Sequence, residues 1–172
     1  MTFLKVNDLQ VEFRVDKKMI KPIDGVSFEM QKGEVLGMVG ETGSGKSLTA
    51  HAIVGLSTLA GGAIGGSIEF EGQDLLHLSE KEMQTIRGGQ IAFIPQNPMT
   101  SLDPVYRVGD QIIEALRQHV KICSREAKQQ VIEVMARLNI PNPERVFQQY
   151  PHQLSGGLKQ RIVIAIGLSL IH

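Results

Sequence analysis

Cysteine is nearly absent from this sequence, with Cys123 the single one. No internal disulfide can form, a cysteine-based metal cluster is excluded, and the usage suits a reducing compartment. A surplus of one charge is also missing. Eighteen Lys and Arg balance eighteen Asp and Glu. That argues against a generic basic coat for nucleic acid, because phosphate binding needs excess positive charge somewhere. Long apolar runs are lacking too. The longest, from Ile162 to Ile171, includes Gly167 and Ser169 and falls well short of the ~20 residues that a bilayer span takes. The opening MTFLKVNDLQVEF has no charged-then-apolar signal peptide. His51, His77, His119, His152 and His172 lack metal-ligand spacing, and no internal repeat is visible. The expectation is a cytosolic chain that reaches a membrane only through a partner.

What is present suits a folded domain: 42% hydrophobic and 21% charged residues. Leu4, Val6, Leu9, Val11 and Phe13 alternate with polar residues, which predicts one or two half-buried strands. Lys17 and Lys18 mark a turn, and Val26, Phe28 and Met30 resume the alternation up to Gln31-Lys32-Gly33. Residues 34–39 are almost continuously apolar, the pattern of a parallel-sheet strand buried on both faces. A Gly-rich loop follows, then a helix over Lys46 to Leu56. Gly61-Gly62 and Gly65-Gly66 read as breaks. A strand is predicted over Ser67 to Gly72, a short helix over Glu80 to Arg87, and a buried strand over Gln90 to Pro95. From Val108 to Gln149 the spacing is helical. Val108, Ile112, Ile113, Leu116 and Val120 share one helix, and Ala127, Val131, Val134, Met135 and Leu138 a second. Ser124 is the expected N-cap of the second, which Pro141-Asn142-Pro143 ends. A last helix opens after Gln153-Leu154-Ser155-Gly156-Gly157. Cys123 reads as a buried or cap-adjacent bystander, and the scattered methionines, Met99 among them, need no special role.

Two motifs carry chemistry. Gly40-Glu41-Thr42-Gly43-Ser44-Gly45-Lys46-Ser47 fits G-x-x-x-x-G-K-[ST]. Its glycines let the backbone curl so that successive N–H groups face phosphate oxygens. The helix that begins there adds free N–H groups and its positive dipole end. Lys46 is placed to reach the β- and γ-phosphates and Ser47 to ligate Mg²⁺. The second motif is Leu154-Ser155-Gly156-Gly157-Leu158-Lys159-Gln160-Arg161. Alone it reads as a capped helix N-terminus with bare backbone N–H groups.

The order of phosphate loop, Gln96 and Leu-Ser-Gly-Gly resembles the ATP-binding subunit of an ABC transporter. The stretches Pro95-Gln96-Asn97-Pro98-Met99-Thr100-Ser101-Leu102-Asp103-Pro104, Gly72-Gln73-Asp74-Leu75 and Tyr150-Pro151-His152-Gln153-Leu154-Ser155-Gly156-Gly157 resemble the dipeptide/oligopeptide (and nickel) importer group. The resemblance implies an α/β, RecA-like P-loop NTPase core with an N-terminal antiparallel β subdomain, an inserted helical subdomain and an incomplete sheet. Residues 1–96 would be the N-terminal part of the core, 97–154 the helical subdomain, and 155–172 the signature helix that starts the second half of the core. It further implies that Gln96 touches Mg²⁺ and its water and senses the membrane partner. Ser155, Gly156 and Gly157, with Gln160 beside them, would cap ATP held by a second ABC subunit, in a homo- or heterodimer. Phe13 would stack on adenine. The groove beside Gln96 would receive a transmembrane permease subunit, with an extracytoplasmic solute-binding protein engaged indirectly. The expected location is the cytoplasmic face of the cell membrane, and no nucleic-acid partner is expected.

The sequence also departs from the family. In the family, an apolar strand ending in the Walker B Asp-Glu pair, the D-loop and the switch histidine follow the position of His172. No substitute is present, since Glu34 and Glu71 do not end an apolar strand and Asp103 sits in a Pro-bounded turn. The expectation is therefore an ATP-binding chain that does not turn over ATP by itself. The alternative is a non-catalytic nucleotide-binding partner of a full-length subunit. The family strands that flank the run from Val35 to Val39 come after Walker B, so that run is expected to lie unpaired and the 172-residue chain to be poorly stable. Leu48 stands where many members have Thr, a residue that the importer group often lacks at this position. A chromosome-maintenance ATPase is disfavoured by the short, heptad-free gap between Gln96 and Ser155.

Overall fold

A computed structural model describes residues 2–170. The chain forms two compact units, residues 1–83 and 84–172.

In the first unit, β1 (Thr2–Val15) and β2 (Lys18–Gln31) make a long antiparallel hairpin. β3 (Ala63–Phe70) pairs with the other edge of β1 and β4 (Gln73–Asp74) follows, giving the order β2-β1-β3-β4. The hairpin turn falls one residue earlier than the expected Lys17-Lys18. Asp16 and Lys17 have φ of 49° and 64°, the paired left-handed geometry whose twist matches that of the strands. The apolar alternation in β1 changes phase: Leu4 and Val6 are buried, and then Leu9 and Val11. A strict period of two would turn one pair to solvent. The register shifts between Val6 and Leu9, and Asp8 sits there at φ 45°, a bulge that returns both pairs to one face. Gly66 faces this bulge at φ 89°, and a Cβ there would collide with the carbonyl oxygens of Asn7 and Asp8. Gly65-Gly66 is therefore not a chain break, as the sequence suggested, but the part of β3 that accommodates the bulge.

The strand expected over residues 34–39 does not form. Residues 34–40 carry no ladder, and Val35 and Val39 are 94% and 96% exposed. The composition is that of a segment covered on both faces, but no described strand pairs with it. The expectation that the run lies unpaired is thus the one that holds. The helix expected over Lys46 to Leu56 stops at Ile53 as α1 (Lys46–Ile53). Gly55, at φ 71°, redirects the chain into the short α2 (Leu56–Leu59). Ser57 in α2 is 2% exposed, and its hydroxyl has no hydrogen-bond partner among the described residues. A buried unpaired hydroxyl costs ~1–3 kcal/mol. Ser57→Ala is therefore expected to leave stability unchanged or raise it by up to ~1 kcal/mol, read from a urea melt. A loss above that would show that the hydroxyl is satisfied in solution.

α3 (Glu80–Ile86) opens on a reciprocal cap. The Ser79 backbone N–H and hydroxyl both donate to Glu82 Oε2, at 2.8 and 2.6 Å. The Glu82 N–H returns a bond to the Ser79 hydroxyl at 3.4 Å. The side-chain hydrogen bond from Ser79, aided by its backbone N–H, holds the Glu82 carboxyl below its ordinary range. A lowered folded-state value means that the cap's contribution is present above the unfolded carboxyl's pKa, ~4.3, and fades as pH falls through the folded value. An NMR titration should place the Glu82 midpoint below ~4.3, and Ser79→Ala should move it part of the way back, since the backbone N–H of residue 79 remains.

In the second unit, the strand expected over Gln90 to Pro95 is reduced to one parallel bridge between Arg87 and Ile91, for the same want of partner strands among the described residues. Four helices follow: α4 (Val108–His119), α5 (Ser124–Arg137), α6 (Pro143–Phe147) and α7 (Gly156–Leu170). The apolar spacing read from the sequence is the packed face. Val108, Ile112, Val131, Met135, Ile162 and Ala165 all lie within one core. Burying each such aliphatic side chain contributes ~1.5–3 kcal/mol. Ser124 is not the cap of α5. Cys123 holds that position and is exposed, and the Ser124 hydroxyl instead accepts from Arg117 at 2.7 Å. α5 closes at Arg137, with Asn139 left-handed at φ 52°, ahead of the proline pair. Pro143 starts α6, where its missing N–H costs nothing.

Candidate nucleotide site and signature helix

The loop from Gly40 to Lys46 is solvent-exposed over most of its length and leads directly into α1. Gly43 and Gly45 stand at φ 88° and 90°, which L side chains rarely adopt. A Cβ on Gly40 would lie 2.7 Å from Ser44 Oγ, whereas one on Gly43 would meet only open space. The loop is closed on itself by the Ser44 N–H donating to the Glu41 carbonyl at 3.2 Å. Lys46 is the bolt. Its Nζ donates to the carbonyls of Gly40 and Glu41 at 2.8 and 2.6 Å and to Ser44 Oγ at 3.2 Å. All three acceptors are neutral, so this ammonium has no carboxylate of its own here. Thr49 steadies the other side, its N–H and hydroxyl both reaching the Gly45 carbonyl at 2.8 and 3.0 Å. Ser47 is exposed in the first turn of α1. A cation without a counter-charge, left-handed glycines and an open helix N-terminus fit a polyphosphate.

The signature is built by the turn before it. Pro151–Gln153 is a single 3₁₀ turn, boxed by the Tyr150 N–H donating to Gln153 Oε1 at 2.8 Å. Tyr150 and His152 stack with ring centroids 5.7 Å apart. The turn delivers Leu154 into the helical core and leaves Ser155 to open α7. Ser155 Oγ accepts from the Leu158 N–H at 3.4 Å, as an N-cap does. Gly156 and Gly157 are exposed, with nothing near where a Cβ would stand. Gln160 is half-buried. Arg161 donates to the carbonyls of Leu138 and Asn139 at 3.3 and 2.5 Å, which caps the end of α5 with positive charge. Gln96 is exposed at a bend. Phe13 is half-buried in β1 and its ring lies against Gly62, whose Cβ would approach it to 2.8 Å. Among the described residues no group of three His, Cys, Asp or Glu could hold a metal, and no helix is long and apolar enough to cross a membrane.

One contact was not legible in the sequence. Lys159, in the signature helix, is only 8% exposed, and its ammonium donates to Met99 Sδ at 3.2 Å. Met99, which the sequence reading gave no special role, thus makes a long-range contact, at which only the helical phase of Lys159 could have hinted.

The model of the ABC transporter family matches residues 23–170. The chain belongs to the ABC transporter family. It is 47% identical over 167 residues to the oligopeptide transport ATP-binding protein OppD of Bacillus subtilis, covering 96% of this chain and 47% of that protein. It is 41% identical over 169 residues to the dipeptide transport ATP-binding protein DppD of Escherichia coli, covering 98% and 52%. The chain thus spans about half the length of the curated relatives it matches. Among solved structures, the dimeric bacterial ABC transporter cassette MJ0796 superposes with a TM-score of 0.84 at 23% identity, covering 96% of this chain and 69% of that one. CbiO1 of Clostridium perfringens, part of an ABC transporter complex, gives 0.75 at 24%, covering 98% and 62%. These likenesses show the fold: a P-loop ATPase cassette with its antiparallel β part and its helical part.

Proposed function

We propose that this ABC family chain is the nucleotide-binding portion of an energy-coupling ATPase subunit in a peptide importer. The observation that carries the reading is Lys46, an ammonium bridging two loop carbonyls and a hydroxyl at the mouth of a Gly-rich loop. The triphosphate of ATP would take over those contacts, its oxygens accepting from Lys46 and from the N–H groups of residues 40–47. Phe13 would stack on the adenine. Ser47 and Gln96 offer oxygen donors of the kind that Mg²⁺ prefers, and the ion would neutralise charge on the phosphates. Ser155, Gly156, Gly157 and Gln160 would face ATP held by a second ABC subunit, so that closure of the pair sandwiches nucleotide between a loop and a signature. The relatives' printed names support peptides as the cargo. Transmembrane permease subunits, a second ATP-binding subunit and, indirectly, a solute-binding protein complete the assembly at the cytoplasmic face of the membrane.

Among the described residues the only carboxylate in the phosphate loop is the exposed Glu41, and none stands at the end of a buried strand to orient water, so the 172-residue polypeptide should bind ATP without turning it over. Phosphate release under multiple-turnover conditions should match a Lys46→Ala control. A protein of the relatives' full length should exceed that control clearly. Turnover by the 172-residue polypeptide above the control would favour a catalytic group elsewhere in these residues. Binding without turnover at either length would favour the second reading, a non-catalytic partner subunit.

A further inference from the structure

The segment after Gln96 is not a slack loop. Asn97 folds it into a turn. Its side chain accepts from the Met99 N–H at 2.9 Å, and its carbonyl accepts from the hydroxyls of Thr100 and Ser101 at 3.2 and 3.0 Å. Gln111 of α4 grips the far end, accepting from the Asp103 N–H at 2.9 Å and donating to the carbonyls of Asp103 and Tyr106 at 2.9 and 3.0 Å. Between the two, Leu102 is buried in the same core as Ile162 and Val163 of α7. The remaining link is the contact of Lys159 with Met99. That contact is chemically unusual. A thioether is a weak acceptor, and burying an ammonium with so little compensation is costly. Packing would be served as well by a methionine or leucine at position 159. A charge kept there at a cost to stability points to a positioning role.

We infer that Lys159 is a positioning residue that ties the segment behind Gln96 to the signature helix, so that a displacement of Gln96–Met99 is passed to the N-terminus of α7. Lys159 lies one turn beyond Ser155, and its own N–H donates to the Ser155 carbonyl at 3.0 Å. A pull on its side chain therefore acts on the turn that carries Ser155, Gly156 and Gly157. The weak sulfur acceptor keeps this tie readily broken and remade, unlike an ion pair. The inference rests on the reading of Gln96 and the signature as parts of an importer ATPase.

The test uses a protein of the relatives' full length with its permease in membrane vesicles. Lys159→Met, Met99→Leu, their double variant and Lys159→Arg are compared for ATP affinity of the subunit and for transport-coupled ATP turnover. Lys159→Met and Met99→Leu should each lower coupled kcat about 10-fold, leave the subunit's ATP affinity within about 2-fold, and leave or raise its thermal midpoint. The double variant should be no worse than either single one, and Lys159→Arg should recover most of the rate. Unchanged kcat in Lys159→Met, or losses that multiply in the double variant, would overturn the tie. A wild-type protein that binds ATP but associates with no permease would overturn the importer reading on which the tie rests. Loss of thermal stability in step with kcat, with no recovery in Lys159→Arg, would reduce Lys159 to a packing residue and overturn it equally.

Discussion

Lys46→Ala should lower the chain's affinity for MgATP by about 100-fold. Lys46 is the cation at the loop mouth, where it spans the Gly40 and Glu41 carbonyls. Each charge-assisted bond that it redirects to phosphate is worth ~1.5–3 kcal/mol, and ~1.4 kcal/mol is tenfold. Two such bonds, taken at the low end of that range because they replace bonds to loop carbonyls, supply about two decades. Lys46→Arg should recover only part of this, because a planar guanidinium cannot occupy the compact position between two carbonyls and a hydroxyl. The fold should be nearly indifferent, since the residue lies at the surface of the unit and its partners are backbone groups of an exposed loop. Calorimetric titration of wild type and both variants gives the affinities, and a melting curve gives the control. Equal affinity in wild type and Lys46→Ala would remove this loop from nucleotide binding.

The second large effect concerns the bare apolar run. Val35→Lys with Val39→Lys should turn an aggregation-prone 172-residue polypeptide into a soluble monomer. The two side chains are four residues apart, so they lie on one face of an extended segment, and both are almost fully exposed in the described chain. Charge on such an unpaired segment blocks edge-to-edge association. In a protein of the relatives' full length the same pair should be ruinous. There the run is proposed to be covered on both faces. Losing two buried valines costs ~3–6 kcal/mol, and two buried ammonium groups cost several more, a sum comparable to the whole stability of a domain. Soluble yield and sedimentation at both lengths measure this. Improvement at both lengths would mean that nothing covers the run.

These expectations follow the line between what the sequence disclosed and what it did not. The phosphate loop was legible because its chemistry is local: glycines, a lysine and a helix start within eight residues. The helical unit was legible because Val108, Ile112, Val131 and Met135 repeat at the helical period and bury the face that repeat defines. The strands at 34–39 and 90–95 do not form because a strand exists only with a neighbour; periodicity is silent on this, and only the family resemblance implied that the run from Val35 to Val39 would lie unpaired. The bulge at Asp8 is written in the phase change between Val6 and Leu9, and in Gly66 opposite, but local pattern does not distinguish it from plain alternation followed by a glycine break. Ser124 is not the cap because α5 begins one residue earlier than the sequence suggests, with Cys123 in the cap position, and the Ser124 hydroxyl instead accepts from Arg117, seven residues away. The tie between Lys159 and Met99 spans 60 residues, and pairings of that range are invisible to local pattern.

The proposal that this ABC family chain is the nucleotide-binding portion of a peptide importer's ATPase subunit is tested most directly in vesicles. A protein of the relatives' full length is reconstituted with the permease that co-purifies with it and with its solute-binding protein, and uptake of a labelled oligopeptide is followed with and without ATP. The account predicts ATP-dependent accumulation that disappears with Lys46→Ala while the permease remains bound. Peptide uptake unaffected by Lys46→Ala, or ATP-driven uptake of another solute with none of peptide, would contradict it.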